Sequence, residues 1–245
     1  MDRRRGGDAH VVAPTPPSDN LTGTLLPPEE LHRRAEDERI RPHRSPGIAA
    51  RLLFAALDAV YGRASSLEKF RVLEVVARVP YQAWEQVAFV AVTHTHGDPE
   101  FARGIHERAT EARAQQDNEM MHLLMIEELL ARQGCRHAVV RGIVLPQVLA
   151  FFYYQLSWLL YVVRPRWSYA LNADFEDHAT HTYLDFVHDH PELDEEPWTS
   201  TFADDYGHSD TVGQLFRRIA LDEAAHRAES ERRIHAARFG DAPSE

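Results

Sequence analysis

Apolar residues recur along most of this chain every three to four positions, which is the spacing of an amphipathic helix. The segment 45–62 is apolar at positions 48, 52, 53, 56, 57 and 60, with a proline near its start and a glycine at its end, as helices prefer. Strand signals are scarce, so we predict an all-α fold of about six helices. The predicted helical segments are 45–62, 65–94, 97–131, the two runs of 144–190, and 211–239.

Three positions should interrupt these helices, and one segment should form a loop. We expect Pro80 to kink the second helix because a proline ring clashes with the preceding turn. We expect Gly104 to break the third helix, and Arg164, followed by a proline, to separate the two runs after it. Residues 190–207 are predicted to be a loop.

The predicted helices form one domain, which we place at residues 44–240. Residues 1–43 are predicted to be a disordered or charged arm, and residues 241–245 a tail. Within the arm, 27–41 reads PPEELHRRAEDERIR, which fits either a short charged helix or an extended segment. The first residues, MDRRRGG, are basic, but the residues after them lack the apolar core of a secretory signal.

Composition limits the class of partner and the location. The chain of 245 residues carries a formal net charge of −11, which makes nucleic acid a poor partner. Its single cysteine, Cys135, excludes an internal disulfide and a cysteine-based zinc site. We expect a reducing, cytoplasmic-side location, and the Arg- and Ala-rich usage favours a bacterium.

One segment is apolar enough to interact with a membrane. Residues 143–163, IVLPQVLAFFYYQLSWLLYVV, carry no charge and are long enough to span a bilayer. Pro146, Gln147 and Gln155 disfavour a complete span. We expect instead that this helix and the apolar side of 45–62 lie in one leaflet as a membrane-facing surface. A transmembrane helix and the plain core of a soluble protein are the two alternatives.

Glutamate and histidine occur together inside apolar helical sequence. In QDNEMMHLLMIEELL, Glu119 and His122 lie three residues apart and therefore share one helix face. A core helix rarely buries such groups unless something pairs with them. A second Glu-x-x-His, in DEAAH, and two single glutamates lie on other long helices. The six candidate ligands, in chain order, are Glu74, Glu119, His122, Glu176, Glu223 and His226.

This order of residues has a chemical meaning. Two Glu-x-x-His helices and one glutamate from each of two further helices form the ligand set of di-iron and di-manganese four-helix bundles. The alternative is a set of buried ion pairs without metal. A third Glu-x-x-His, at Glu29 and His32, begins a charged segment after two prolines, and we expect it to be a solvated helix start.

Four stretches of sequence carry a resemblance to a known family. They are FRVLEVVARVPYQAWEQ (70–86), NEMMHLLMIEELL (118–130), FFYYQLSWLLYVVRPRWSYALNADFEDHATHTYLDFV (151–187) and DEAAH (222–226). They resemble the alternative oxidase family, above all its plastid terminal oxidase branch, and the resemblance covers residues 48–236. It implies a ferritin-like four-helix bundle with a di-iron core and two extra membrane-facing helices, in a monotopic, usually dimeric enzyme. The implied activity couples quinol oxidation to reduction of O2 to water, without proton pumping and insensitive to cyanide.

The resemblance also implies roles for individual residues. The six candidate ligands match the family's positions for two iron ions. Tyr183 matches the family's redox tyrosine beside the metals, and it lies two helical turns after Glu176. Asn118 and Asp222 match positions that hold the ligands by hydrogen bonds. The positions of the family's quinol pocket are matched by Lys69, Leu73, Ala179 and Thr182.

Some features depart from the family's pattern. Lys69 stands where the family usually has arginine, so it keeps the charge but loses the two-pronged hydrogen-bonding group. With Cys135 as the single cysteine, control by thiols is not expected, and the loop at 188–210 is too short for a plastid-specific lid. The expected partners are a quinol, O2, membrane lipid and a second copy of the chain. The alternative is a soluble ferritin-like di-iron protein, acting as an oxygenase, a peroxidase or an iron store.

Overall fold

A computed structural model describes residues 26–95, 97–134, 138–236 and 238–239. These residues contain nine α-helices and no β-strand, so the predicted all-α class is confirmed. A π-helical segment, Val139–Val144, leads into the sixth helix, and a 3-10 turn, Pro191–Asp194, follows the seventh. In chain order the helices are α1 (Pro28–Arg39), α2 (Ile48–Tyr61), α3 (Leu67–Ala77), α4 (Val79–Val92), α5 (Pro99–Arg132), α6 (Leu145–Val163), α7 (Pro165–Asp189), α8 (Ala203–Tyr206) and α9 (Val212–Arg233).

The described residues have three more helices than the predicted six. The predicted helix 65–94 is divided at Arg78, and Pro80 lies in the first turn of the new helix. A proline is tolerated there because the backbone N–H groups of a first turn have no partner within the helix. The charged segment 27–41 also forms a helix, and the predicted loop 190–207 contains the short α8. The predicted break at Arg164 is confirmed, since α6 ends before it and α7 begins after it.

The predicted break at Gly104 is wrong, because α5 runs without interruption for 34 residues. A single glycine inside a helix costs only about 1 kcal/mol relative to alanine. A close contact accounts for the glycine: a Cβ atom built on Gly104 would lie 2.7 Å from the carbonyl oxygen of Phe239. The glycine therefore lets the end of the chain pack against α5.

Four helices, α3, α5, α7 and α9, form the bundle, and α7 and α9 share the largest contact. Between them lies an apolar core that includes the fully buried rings of Phe70, Phe175 and Phe216. Helices α4 and α6 pack beside the bundle and enclose a second apolar cluster of aromatic side chains. The polar residues described below lie in the middle of the bundle, beside this apolar core.

An apolar strip and ion pairs hold the charged segment before the bundle. In α1, Leu31 and Ala35 are buried, and the helix contacts α7 and α9. Glu38 accepts a hydrogen bond of 2.7 Å from the buried guanidinium of Arg227 on α9. Residues 1–25, Cys135 and the tail 241–245 lie outside the described residues, so the predicted domain limits stay predictions.

Helix α6 leaves most of its apolar surface uncovered. Together with the π-helical segment before it, α6 forms a helix, Val139–Val163, that is long and apolar enough to cross a membrane. Only 17% of its most apolar stretch is buried. A core helix of a soluble protein would be mostly buried, and this stretch is mostly exposed. The exposed apolar side chains on α6 and α2 include Val148, Phe151, Phe152, Leu159, Val163, Ile48 and Leu52.

Candidate metal centre

The structure brings all six candidate ligands together in the middle of the bundle. Each bundle helix contributes one set: α3 a glutamate, α5 a Glu-x-x-His pair, α7 a glutamate and α9 the second pair. The helical repeat of 3.6 residues points each glutamate and the histidine three positions later to the same side. The six side chains, all with at most 1% of their surface exposed, are Glu74, Glu119, His122, Glu176, Glu223 and His226.

These six side chains form two overlapping groups that share Glu119 and Glu223. In each group the donor atoms lie within 4.8 Å of one another. His122 Nδ1 is 3.0 Å from Glu223 Oε1, and His226 Nδ1 is 2.8 Å from Glu119 Oε1. The group containing His122 is completed by Glu74, and the group containing His226 by Glu176. Two four-membered groups with two carboxylates in common are the arrangement that two adjacent cations require.

Many donor atoms in these groups are buried away from water and have no hydrogen-bond partner. They include Oε2 of Glu74, both oxygens of Glu119 and both ring nitrogens of His226. The contact of 2.8 Å between His226 and Glu119 is short but not aligned as a hydrogen bond. Native proteins leave few buried polar atoms unpaired, because each costs about 1–3 kcal/mol. Cations bound by these atoms would remove that cost, so the donor set fits metal, and its carboxylate-rich chemistry fits iron or manganese.

Without metal, protons must balance the charges of these groups. Burial raises the pKa of Glu74 to about 8, and burial together with the Glu223 and Glu119 charges raises the pKa of Glu176 well above its usual range. Burial alone would lower the pKa of His226, but the carboxylates of Glu119 and Glu223 raise it to about 10. Metal ligands must be deprotonated, so a cation that binds here displaces these protons.

Asp222 and its neighbours fix the orientation of His122. Asp222 Oδ2 lies 3.3 Å from His122 Nε2, and it accepts hydrogen bonds from Asn118 and from the hydroxyl of Tyr206. His122 Nδ1 therefore points at the carboxylates of the group. Asn118 and Asp222 were both expected beside the ligands. Tyr206 was missed, since α8 lies in a segment predicted to be a loop, where no periodic pattern indicates a buried side chain.

Two tyrosines contact ligand glutamates directly. Tyr183, the expected redox tyrosine, is fully buried and donates a hydrogen bond to Glu74 Oε1. Tyr81, which sequence reasoning missed, donates a hydrogen bond of 2.7 Å to Glu176 Oε1. A signal for Tyr81 was present, because it follows Glu74 by seven residues, as Tyr183 follows Glu176.

Three of the expected quinol-pocket residues lie on α3 and α7, which contact each other beside the centre. Leu73 and Ala179 are buried and Thr182 is half-buried. The Thr182 hydroxyl donates a hydrogen bond of 2.6 Å to the carbonyl of His178, one turn earlier in α7. Their role as a pocket stays a prediction.

Lys69, the fourth expected pocket residue, joins two helices. Its ammonium group lies 2.8 Å from Asp58 Oδ1 and donates to the carbonyl of Gly62 over 3.0 Å. These contacts hold the end of α2 against the start of α3. A guanidinium at this position would have more donors to satisfy, so lysine suits this compact contact.

A third cluster of possible ligands is explained by structural hydrogen bonds. His43, Asp177 and His181 lie close together. The two ring nitrogens of His181 lie 2.8 Å from the carbonyl oxygen of Asp177 and 3.0 Å from that of Arg41. The cluster therefore joins the segment before α2 to α7. Glu29 and His32, the third Glu-x-x-His, are exposed at the start of α1, as expected.

Comparisons with known proteins agree with this geometry. The family model described as alternative oxidase matches residues 45–232. The chain is 35% identical over 134 residues to ubiquinol oxidase 4, chloroplastic/chromoplastic, of Arabidopsis thaliana. That match covers 54% of this chain and 34% of the plant protein, so the chain spans about a third of that relative's length. The resemblance seen in the four sequence motifs is thus confirmed, and the chain belongs to the alternative oxidase family.

Proposed function

We propose that this protein is a quinol oxidase that couples the oxidation of quinol to the reduction of O2 to water at a centre of two iron ions. The observation that carries the proposal is the pair of buried groups that share Glu119 and Glu223. Bound cations would satisfy their unpaired oxygen and nitrogen atoms. The proposal also draws on the family and on the name of the plant relative.

The ligand roles follow from the two groups. Glu74 and His122 would hold one ion, Glu176 and His226 would hold the other, and Glu119 and Glu223 would lie between them. When bound, two irons that cycle between the ferrous and ferric states supply the site for O2 and part of the electrons.

The remaining residues control geometry and protons. Asp222 holds the ring of His122 so that Nδ1 is directed at the carboxylates. The Tyr183 hydroxyl donates a hydrogen bond to Glu74. Tyr183 can therefore lose this proton to Glu74 together with an electron. Burial of the whole centre keeps bulk water away.

The quinol would reach the centre from a lipid surface. We assign its pocket to Leu73, Ala179 and Thr182, with Lys69 near the mouth. The exposed apolar faces of α2 and α6 would insert into one leaflet, which brings a lipid-soluble quinol to the side of the bundle. A homodimer on the cytoplasmic face of a bacterial inner membrane, without proton pumping and insensitive to cyanide, completes the proposal.

Uptake of O2 by the purified, iron-loaded protein in detergent tests the proposal, with cyanide present to silence haem oxidases. The expected result is uptake that depends on added quinol, at two quinols per O2, without release of peroxide. Bound iron without quinol-dependent uptake would contradict the oxidase and favour a ferritin-like role. The absence of bound iron would leave only a helical protein with buried ion pairs.

A further inference from the structure

The two tyrosines beside the centre have the same relation to their glutamates. Tyr183 donates to Oε1 of Glu74 and Tyr81 donates to Oε1 of Glu176. In both glutamates Oε2 has no hydrogen-bond partner, so that oxygen is available to a cation. Each tyrosine therefore belongs to one of the two groups of ligands.

The surroundings of the two tyrosines differ. The ring of Tyr183 stacks on Phe70 at 4.2 Å between centroids and meets Phe216 at 5.5 Å. Phenylalanine is hard to oxidise, so an electron lost from Tyr183 cannot be replaced from these rings. Its neighbours isolate Tyr183, and the expected quinol pocket lies on the adjacent helix faces.

Tyr81 instead begins an aromatic chain of side chains that can be oxidised. Its ring lies 5.1 Å from that of Trp84, and Trp84 lies 4.6 Å from Tyr169. The Tyr169 hydroxyl is 3.2 Å from the hydroxyl of Tyr161, on the lipid-facing helix α6. All four side chains of this aromatic chain are buried, with at most 6% of each exposed. Asn172 also donates to the Tyr81 hydroxyl over 3.0 Å, which fixes the direction of its proton toward Glu176.

We propose that Tyr81 is a second redox-active tyrosine, which gives one electron and one proton at the Glu176 side of the centre and, when quinol is scarce, takes an electron back from the aromatic chain. The proposal rests on the proposed function. It assigns one tyrosine to each of the two groups of ligands. It also gives Trp84, Tyr169 and Tyr161 the task of moving an oxidising equivalent away from the ligands when quinol is scarce.

The electrons and protons balance in this scheme. Reduction of one O2 to two waters takes four electrons and four protons. Two bound ferrous ions would supply two electrons, and one each comes from Tyr183 and Tyr81, whose O–H bonds break. Each phenolic proton passes to the Oε1 atom that accepts its hydrogen bond, on Glu74 or on Glu176, and from there to the water that forms.

Quinol then restores the starting state. One quinol returns two electrons and two protons to the two tyrosyl radicals. A second quinol reduces the two ferric ions, and its two protons supply the other half of those needed for water. The sum is two quinols and one O2 giving two quinones and two waters.

The experiment follows the radicals and the chemical traces they leave. The full chain, loaded with ferrous iron in detergent, is mixed with O2 without quinol and frozen for electron paramagnetic resonance. A parallel sample is digested for mass spectrometry of oxidised Trp84, Tyr169 and Tyr161. We expect Tyr81→Phe to lower the radical yield by about half and to remove these oxidation products, whereas Tyr183→Phe keeps them. Tyr153→Phe is the control, since this buried tyrosine makes no hydrogen bond to a ligand glutamate, and it should change neither result.

A second variant keeps the test decisive if Tyr81→Phe fails to retain iron. Trp84→Phe leaves the hydrogen bond from Tyr81 to Glu176 in place and should confine the oxidation products to Tyr81. Oxidised Tyr169 at the original level in Trp84→Phe, or an unchanged radical yield in iron-loaded Tyr81→Phe, would overturn the inference. In the parent protein, iron binding and quinol-dependent O2 uptake are measured on the same preparation, so failure of the proposed function is distinguishable from failure of this inference alone.

Discussion

Tyr81 and Tyr183 each follow a candidate ligand by seven residues, yet each contacts the ligand that precedes the other. Tyr81 comes after Glu74 and donates to Glu176, and Tyr183 comes after Glu176 and donates to Glu74. This exchange joins α4 to α7 and α7 to α3. It also fixes one oxygen of each glutamate, so that the other oxygen alone remains for a cation.

Loss of the Tyr183 hydroxyl should abolish turnover without removing metal. Tyr183→Phe keeps the ring stacked on Phe70 and deletes only the donor to Glu74. We expect the iron content to be unchanged and the quinol oxidase rate to fall by a factor of about 100 or more. Iron analysis and O2 uptake of the same preparation measure both quantities, and normal turnover would remove Tyr183 from the mechanism.

Asp222 should matter for metal affinity through its contact with His122. Asp222→Asn weakens the hydrogen bond that orients the ring and should lower iron affinity by roughly 10–100-fold. Asp205→Asn, at an exposed position in α8, is the matched control. Competition with a chelator measures the affinities. Equal values for the two variants would mean that His122 does not depend on Asp222 for its orientation.

The metal-free protein should lose stability as the pH rises. Glu74 has an ordinary pKa of 4.5 and a pKa of about 8 in the fold, so between these values the folded state holds a proton that the unfolded chain has released. His226, with its pKa raised from 6.5 to about 10, extends the same trend to higher pH. The stabilisation is complete below the ordinary pKa and is lost as the pH passes the folded value.

Thermal unfolding of metal-free protein across this range checks the sign. The unfolding temperature should fall from about pH 5 to about pH 9, and Glu74→Gln should flatten the slope, since the amide cannot titrate. Iron should reduce the slope in the parent protein, because bound metal replaces the protons. A stability that rises with pH over this interval would show that the buried carboxylates are not protonated in the folded state.

A larger side chain at the expected quinol pocket should weaken quinol binding without changing metal binding. Ala179→Val adds volume at a buried position on the side of α7 near α3, and we expect a raised KM for quinol with unchanged iron content. Ala170→Val, half-buried on the same helix about two and a half turns earlier, is the control. If the two variants had the same KM as the parent, the pocket would lie elsewhere.

The exposed aromatic side chains of α6 should anchor the protein to lipid. Phe151 and Phe152 expose 59% and 65% of their surface, and a charged side chain there opposes burial in a leaflet. We expect Phe152→Glu to shift the protein from the membrane pellet to the supernatant. Ile40→Glu, at an exposed apolar residue after α1, should stay in the pellet, and equal partitioning of both variants would argue against α6 as the anchor.

Much of the site follows from the helical repeat. Because Glu119 and His122 share a helix face with apolar neighbours, the pattern alone indicated that they point inward, and the structure places them in the bundle with the other four residues. Their role as ligands stays a prediction. The class of fold was predictable for the same reason, since amphipathic spacing depends on local sequence.

What the sequence pattern missed depends on contacts between distant segments. Gly104 looked like a helix break, and only the approach of Phe239 from the end of the chain explains it. Tyr206 reaches Asp222 from a short helix whose four residues are too few for a periodic signal. Tyr81 lies beyond the division between α3 and α4, so its contact with Glu176 depends on how the two helices are set against α7.

The number of iron ions bound per chain tests the central claim most directly. Anaerobic titration of the metal-free protein with ferrous iron should reach saturation at two ions per chain. Glu119→Gln combined with Glu223→Gln, which removes both shared carboxylates, should bind fewer than one, while Glu192→Gln, at an exposed glutamate beyond the bundle, should still bind two. Two ions retained after loss of both shared carboxylates, or none bound by the parent protein, would contradict a di-iron centre at these residues.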